Sequence, residues 1–210
     1  MRSLDPTLLA LLVAFLYILA FGALSFLRRE GLSIQFAIEG ILVTAVLVGG
    51  SYALGRPISP FLLLIVLYLV TMRSRLLVDL ANVFARRGEM GRASNLYRLA
   101  LALRPDTSSR LIVLANRGAA ELHSRQIDTA IQTLEEVLAE PNRVRLGLRY
   151  ETLTRYNLGL AYQIKGDDRR SVEQLNQTIE LMPGSPAAQA ARAALKRRKG
   201  PTGGSEGAGG

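Results

Sequence analysis

The sequence contains no cysteine and only one histidine, His123. The first absence excludes disulfides, thiol nucleophiles, thiolate zinc sites and cysteine-ligated clusters. The second excludes two-histidine metal sites and leaves one residue for imidazole acid–base chemistry. No G-x-x-x-x-G-K-[ST] phosphate loop occurs. "GGSYALG" at 49–55 resembles such a loop only in its glycines, and it closes an apolar run. With so little catalytic equipment, the sequence reads as a non-enzyme, with no catalytic residue, cofactor or metal.

Charge is scarce in one region. Residues 1–72 carry Arg2, Asp5, Arg28, Arg29, Glu30, Glu39 and Arg56 and no other charged side chain, a balance of +1 against +8 for the remainder. This split predicts a membrane part followed by a basic, water-exposed part. Thr7 to Leu27 is uncharged and about 30 Å long as a helix, the thickness of a hydrocarbon core. A signal peptide is the competing reading. The run is long for one, and Arg28-Arg29-Glu30 ends it instead of a small-residue cleavage site.

Ile34 to Leu54 forms a second span with one charge, Glu39. An intramembrane carboxylate suggests an ion or proton site, but no span holds a basic partner for it. The reading adopted is a carboxylate near the headgroups or facing a neighbouring helix. Ala45, Gly49 and Ala53 make a ridge of small residues that suits close packing against other spans or a partner. Ile58 to Met72 is a third, short run, with Pro60 placed for a first helical turn. It spans a bilayer if Arg73 and Arg75 snorkel to the interface; the alternative is two spans plus an interfacial helix. Arginines near the span ends place the C-terminal part in the cytoplasm.

Internal repeats follow. In residues 156–186, Leu158-Gly159 precedes Tyr162, Gly166, Ser171, Leu175 and Pro183. In residues 76–105, Leu80-Ala81 precedes Phe84, Gly88, Ala93, Tyr97, Ala100 and Pro105. A weaker copy at 111–141 has Gly118, Ala130 and Leu134, with Glu121 where the others carry an aromatic. This pattern resembles the tetratricopeptide repeat, a helix-turn-helix unit in which small residues admit the partner helix and large ones fill the gaps. The resemblance covers residues 74–184. The expected fold is therefore all-α: three transmembrane helices (about 7–27, 34–54 and 58–72, within 1–72), then a short solenoid of three repeats (about 74–107, 111–142 and 152–185). Ser185-Pro186 opens a capping helix over 185–199, and 200–210 is a flexible tail. No glycine or proline lies between Phe61 and Arg87, so the sequence predicts one unbroken helix of about 40 Å from membrane into scaffold.

His123 and Glu135-Glu136 read as solvated surface, and Asp167-Asp168 as a helix cap. The resemblance implies a peptide-binding groove on the first helix of each pair. The positions that would line it are Arg75, Val78, Asn82, Ala115, Asn116, Ala119, Leu153, Tyr156, Leu160 and Gln163. Asn82 and Asn116 match the family's carboxylate clamp, but Val78, Leu153 and Asn157 stand where its cations should be, which argues against a chaperone-tail ligand. Lys196, Arg197, Arg198 and Lys199 suit anionic lipid; nucleic acid is disfavoured because no aromatics interleave with them. Arginine outnumbers lysine 23 to 3, which suggests a GC-rich bacterial origin. The expected function is a scaffold or adaptor holding a protein partner at the cytoplasmic face of the plasma membrane, in assembly or stabilisation of a membrane complex. The alternative is a small transport or signalling subunit acting through Glu39.

Overall fold

A computed structural model describes residues 5–27, 34–139 and 146–199. Among them all regular structure is helical: α1 (Pro6–Leu27), α2 (Ile34–Ala53), α3 (Pro60–Thr71), α4 (Arg73–Arg86), α5 (Met90–Ala102), α6 (Thr107–His123), α7 (Ile127–Ala139), α8 (Leu148–Lys165), α9 (Asp168–Leu181) and α10 (Pro186–Lys199). The chain divides within α6 into two compact units, Met1–Val113 and Leu114–Gly210. The charged stop at Arg28-Arg29-Glu30, Arg2, the insert at 140–145 and the tail at 200–210 lie outside the described residues.

In the first unit, α1, α2 and α3 pack around Ala10, Ala14, Tyr17, Leu63 and Leu67. Thr71 donates its hydroxyl to the Leu67 carbonyl at 2.6 Å, which leaves the Tyr17 hydroxyl to donate to Thr71 Oγ1 at 2.7 Å. The large side chains Leu8, Leu12, Phe15, Leu42, Val46, Phe61 and Leu69 are exposed. Water disfavours such a surface and lipid favours it. α1 and α2 are each long and apolar enough to cross a membrane. α3 reaches that length only in combination with α4.

Two expectations need correction here. The helix from Phe61 to Arg87 is not continuous: it breaks at Met72, and α4 leaves α3 at 69°. Tertiary bonds from Arg73 and Ser74, described below, replace the axial continuation that local propensity favours. The ridge of Ala45, Gly49 and Ala53 does not pack against the other spans. All three residues are exposed, and a Cβ on Gly49 would meet nothing within 4 Å. The inward face of α2 is Gly40 and Thr44, and a Cβ on Gly40 would stand 3.1 Å from Ile18.

α4 and α5 lie antiparallel, with Ser74 donating to the Ala100 carbonyl and the Tyr97 hydroxyl to Asn82 Oδ1 at 2.6 Å. Val78, Ala81, Ala93, Tyr97 and Ala100 are buried. In the second unit, a Cβ on Gly118 would come within 2.7 Å of Leu134, and one on Gly159 within 2.9 Å of Leu175. Glycine is thus needed where α7 meets α6 and where α9 meets α8. Leu122, Ala130, Ile131, Leu134, Leu158, Ala161 and Tyr162 form a core running from α6 through α7 to α8. α10 covers Leu175 with Ala191 and Ala194. Its N-cap is Ser185, whose hydroxyl accepts from the Ala188 amide at 3.1 Å.

The three turns between paired helices share one geometry. Gly88, Arg125 and Gly166 all have positive φ, at 79°, 62° and 85°. Immediately after each comes a bond closing the same ring: Glu89 N to Phe84 O, Gln126 N to Glu121 O, and Asp167 N to Tyr162 O, at 3.0, 2.9 and 2.9 Å. These are helix C-terminal caps that satisfy orphan carbonyls. The next small residues, Ala93, Ala130 and Ser171, are buried in all three hairpins.

Candidate functional site

The break at Met72 places a polar network where α2, α3, α4 and the end of α5 meet. Arg73 grips Glu39 with both terminal nitrogens, Nη1 to Oε2 at 2.5 Å and Nη2 to Oε1 at 2.8 Å. Its Nη1 also donates to the Val70 carbonyl at 2.7 Å, and Nη2 to Leu103 O at 3.4 Å. Gln35, one turn before Glu39, donates to Glu39 Oε1 at 2.9 Å and to the Arg104 carbonyl at 3.0 Å. A bidentate arginine–carboxylate fork fixes orientation as well as charge. Glu39 therefore faces a neighbouring helix and has a cationic partner, which comes from just beyond the third apolar run.

The network borders a cavity of about 690 Å³. Phe21, Phe36 and Ile38 are among its apolar lining residues, and Gln35, Glu39, Arg73, Arg75, Asp106 and Ser108 among its polar ones. The sequence signal for this site was partial. Gln35 and Glu39 share a helix face by spacing, whereas the convergence of Arg73 and Asp106 on that face depends on the bend.

The groove positions are divided between the units. Arg75, Val78 and Asn82 belong to the first; Ala115, Asn116, Ala119, Leu153, Tyr156, Leu160 and Gln163 to the second. Val78 and Ala115 are buried. Tyr156 and Leu160 pack against the Leu175, Ala191 and Ala194 cluster, and Leu160 also against the α6–α8 core. Asn82 holds Tyr97 within its own hairpin. Leu153 is exposed, and Arg75, Asn116, Ala119 and Gln163 are partly exposed.

Electrostatics in the second unit centre on α8 and α9. Tyr162 donates its hydroxyl to Glu135 on α7, and the Arg170 guanidinium lies 4.4 Å from the centroid of its ring. Burial first, and then the hydrogen bond to the Glu135 carboxylate, push the Tyr162 phenol up to about 12. Asp167 caps α9: its Oδ1 accepts from the Arg170 amide at 3.1 Å, and its Oδ2 from Arg170 Nε at 2.5 Å. Those two bonds hold the Asp167 carboxyl below its usual range.

Glu121 is nearly fully buried, accepting from Arg117 Nε and Thr133 Oγ1, both at 2.8 Å. His123 is exposed. In the basic run, Lys196 and Arg197 are exposed. Arg198 bonds both the carboxylate and the carbonyl of Asp168 at 2.9 Å. The side chain of Lys199 lies outside the described residues.

The arrangement defines an all-helical protein with two N-terminal helices suited to a membrane and paired helices after them. No family model, curated protein or solved structure matches the chain.

Proposed function

We propose that the chain is a membrane-anchored scaffold of tetratricopeptide-like hairpins. In this reading it holds a protein partner at the cytoplasmic face of the plasma membrane, in assembly or stabilisation of a membrane complex. The observation that carries the reading is the recurrence of one turn. Positive φ falls at Gly88, Arg125 and Gly166, each followed five residues later by a buried small residue, Ala93, Ala130 and Ser171. Repeats of this kind expose surface along successive first helices, where a partner segment binds. The alternative, chemistry at Glu39, is less favoured because Arg73 and Gln35 already engage both of its oxygens.

Two measurements test this. The absence of cysteine allows background-free labelling of Arg56→Cys and His123→Cys in intact cells with a membrane-impermeant maleimide. The proposed topology labels Arg56→Cys from outside, and His123→Cys only after lysis; the opposite pattern removes the cytoplasmic placement. Crosslinked capture from detergent-solubilised membranes, comparing the chain with Leu153→Glu and Gln163→Ala, then tests the scaffold. The same proteins recovered in equal amounts from all three would defeat the proposed binding face.

A further inference from the structure

The α4–α5 hairpin of the first unit has an apolar side that is open at its centre. Arg73, Leu77, Leu80 and Phe84 succeed one another at intervals of four, three and four residues, so they share one flank of α4. Arg92, Leu96, Leu99 and Leu103 repeat those intervals along α5. Contacts at both ends put the two flanks on the same side of the hairpin. Arg73 Nη2 donates to the Leu103 carbonyl at one end, and the Arg92 guanidinium stands 5.7 Å from the centroid of the Phe84 ring at the other. Between those contacts Leu80 and Leu99 are 46% and 48% exposed.

This side of the hairpin turns towards the spans. Arg73, at the head of the flank, donates to the Val70 carbonyl at the end of α3 and reaches Glu39 in α2. Glu39 lies five residues past Ile34, the first residue of α2, which is about 7.5 Å along its axis. Amphipathic helices lying on a membrane bury their apolar side to a similar depth, about 5–10 Å. α4 also leaves α3 at 69°, nearer to perpendicular than to a continuation. With α3 packed beside α1, that turn sends α4 along a bilayer surface and not away from it. The charge is of the matching sign. Residues 73–104 carry seven arginines against Asp79 and Glu89. Glu39 and Glu89 engage Arg73 and Arg92, while Arg86 and Arg87 are exposed at the tip of the hairpin. Basic residues close to a membrane attract anionic headgroups.

We infer that this side of the α4–α5 hairpin lies on an anionic bilayer surface, with Leu80 and Leu99 among the upper acyl chains and Arg86 and Arg87 at the headgroups. The inference rests on placing α1 and α2 in a bilayer. Arg75 and Asn82, the exposed groove positions of α4, fall on the opposite flank, so lipid and a protein partner do not compete for one surface. The bilayer does for the first hairpin what α10 does for the last: it covers a terminal apolar face.

The chain has no tryptophan, so one introduced indole reports a single place. Leu80→Trp and Leu99→Trp report the hairpin, at exposed positions where neither change disturbs a core. Phe15→Trp, exposed midway along α1, reports the span. Each full-length variant is reconstituted in vesicles of phosphatidylethanolamine and phosphatidylglycerol in equal parts, with bromines near either the headgroup end or the methyl end of the acyl chains. Leu80→Trp and Leu99→Trp should lose fluorescence to headgroup-end bromines and little to methyl-end bromines. Phe15→Trp should show the reverse. Adding Arg86→Glu and Arg87→Glu should lower the quenching at Leu80→Trp and leave that at Phe15→Trp unchanged.

Absence of quenching at Leu80→Trp and Leu99→Trp, beside quenching at Phe15→Trp, overturns the proposal; a blue-shifted emission in that case would assign the face to protein. Quenching at Leu80→Trp that survives Arg86→Glu with Arg87→Glu undiminished overturns the role given to anionic headgroups. Absence of quenching at all three positions removes the bilayer placement itself.

Discussion

In α1 and α2 the covered positions are mainly small, Ala10, Ala14, Gly40 and Thr44, set around Tyr17 and the Leu63 and Leu67 of α3, while Leu12, Phe15 and Leu42 are exposed. In the second unit the large residues go in. Leu134, Leu158 and Leu175 are buried, and Gly118 and Gly159 make room for two of them. Both regions use the same helix and the same principle of close packing. They differ in what the outward surface must please. A bilayer gives no hydrophobic drive to bring helices together, so small residues that let backbones approach are used there. Water supplies that drive, so in the second unit large side chains fill the space between the helices.

Placing the same charge on each surface separates the two regions most strongly. Leu12→Arg, in mid-α1, should cost about 3 kcal/mol of membrane insertion, read as loss of the protein from carbonate-washed membranes. Leu153→Arg, on exposed α8, should shift stability by no more than about 0.5 kcal/mol. Equal behaviour of the two variants would mean that both surfaces face the same solvent. Next in size is Gly159→Val. The Leu175 backbone nitrogen would already stand 3.3 Å from a Cβ there, so α9 cannot give way by a side-chain turn alone. Overpacking of this kind should cost about 2–3 kcal/mol, against a smaller gain in helix propensity over glycine. Denaturant unfolding of the full chain in micelles measures it. Gly49→Val, facing open space on α2, should be neutral in the same assay.

A pH dependence sharpens the description of the hairpins. A phenol raised in the folded state favours folding as long as it stays protonated. The Tyr162 contribution is therefore fully present below the ordinary tyrosine value of about 10. It is lost as pH rises towards about 12. At pH 8, Tyr162→Phe should lower stability by about 1–2 kcal/mol through the lost bond to Glu135. By pH 12 the variant and the parent chain should converge. A gap unchanged by pH would show that the hydroxyl is not engaged by the carboxylate.

Much of this architecture is visible in the residues. The two long apolar runs, Pro60 at the start of α3, the Asp167 and Ser185 caps and the small positions Ala81, Gly118 and Gly159 all follow from local chemistry. The break at Met72 does not. No glycine or proline marks it, and it is held by Arg73 reaching Glu39, 34 residues earlier, and by Ser74 reaching Ala100. The ridge of Ala45, Gly49 and Ala53 carries a packing signal, yet the inward face is set by Ile18 against Gly40. Periodicity cannot rank two faces that are both apolar. The middle hairpin is weak in sequence for a related reason. Arg125 adopts the left-handed turn that glycine takes elsewhere, and Glu121 enters the aromatic position as a buried carboxylate satisfied by Arg117 and Thr133. The expected groove positions do not all face outward: Tyr156 and Leu160 pack against Leu175, Ala191 and Ala194, a tertiary contact that spacing along α8 does not reveal.

The smallest predicted effect tests the equivalence of the hairpins. Ser171 occupies the place of Ala93 and Ala130, and its hydroxyl is buried without a hydrogen-bond partner. An unsatisfied hydroxyl carries a desolvation penalty that alanine avoids, and alanine is also the better helix former. Ser171→Ala should therefore stabilise the chain by about 1 kcal/mol in denaturant unfolding. The reverse changes, Ala93→Ser and Ala130→Ser, should cost a similar amount, because each would bury the same hydroxyl against a neighbouring helix. If Ser171→Ala instead weakened the fold, that hydroxyl would have a partner, and the third hairpin would pack by a rule that the first two do not share.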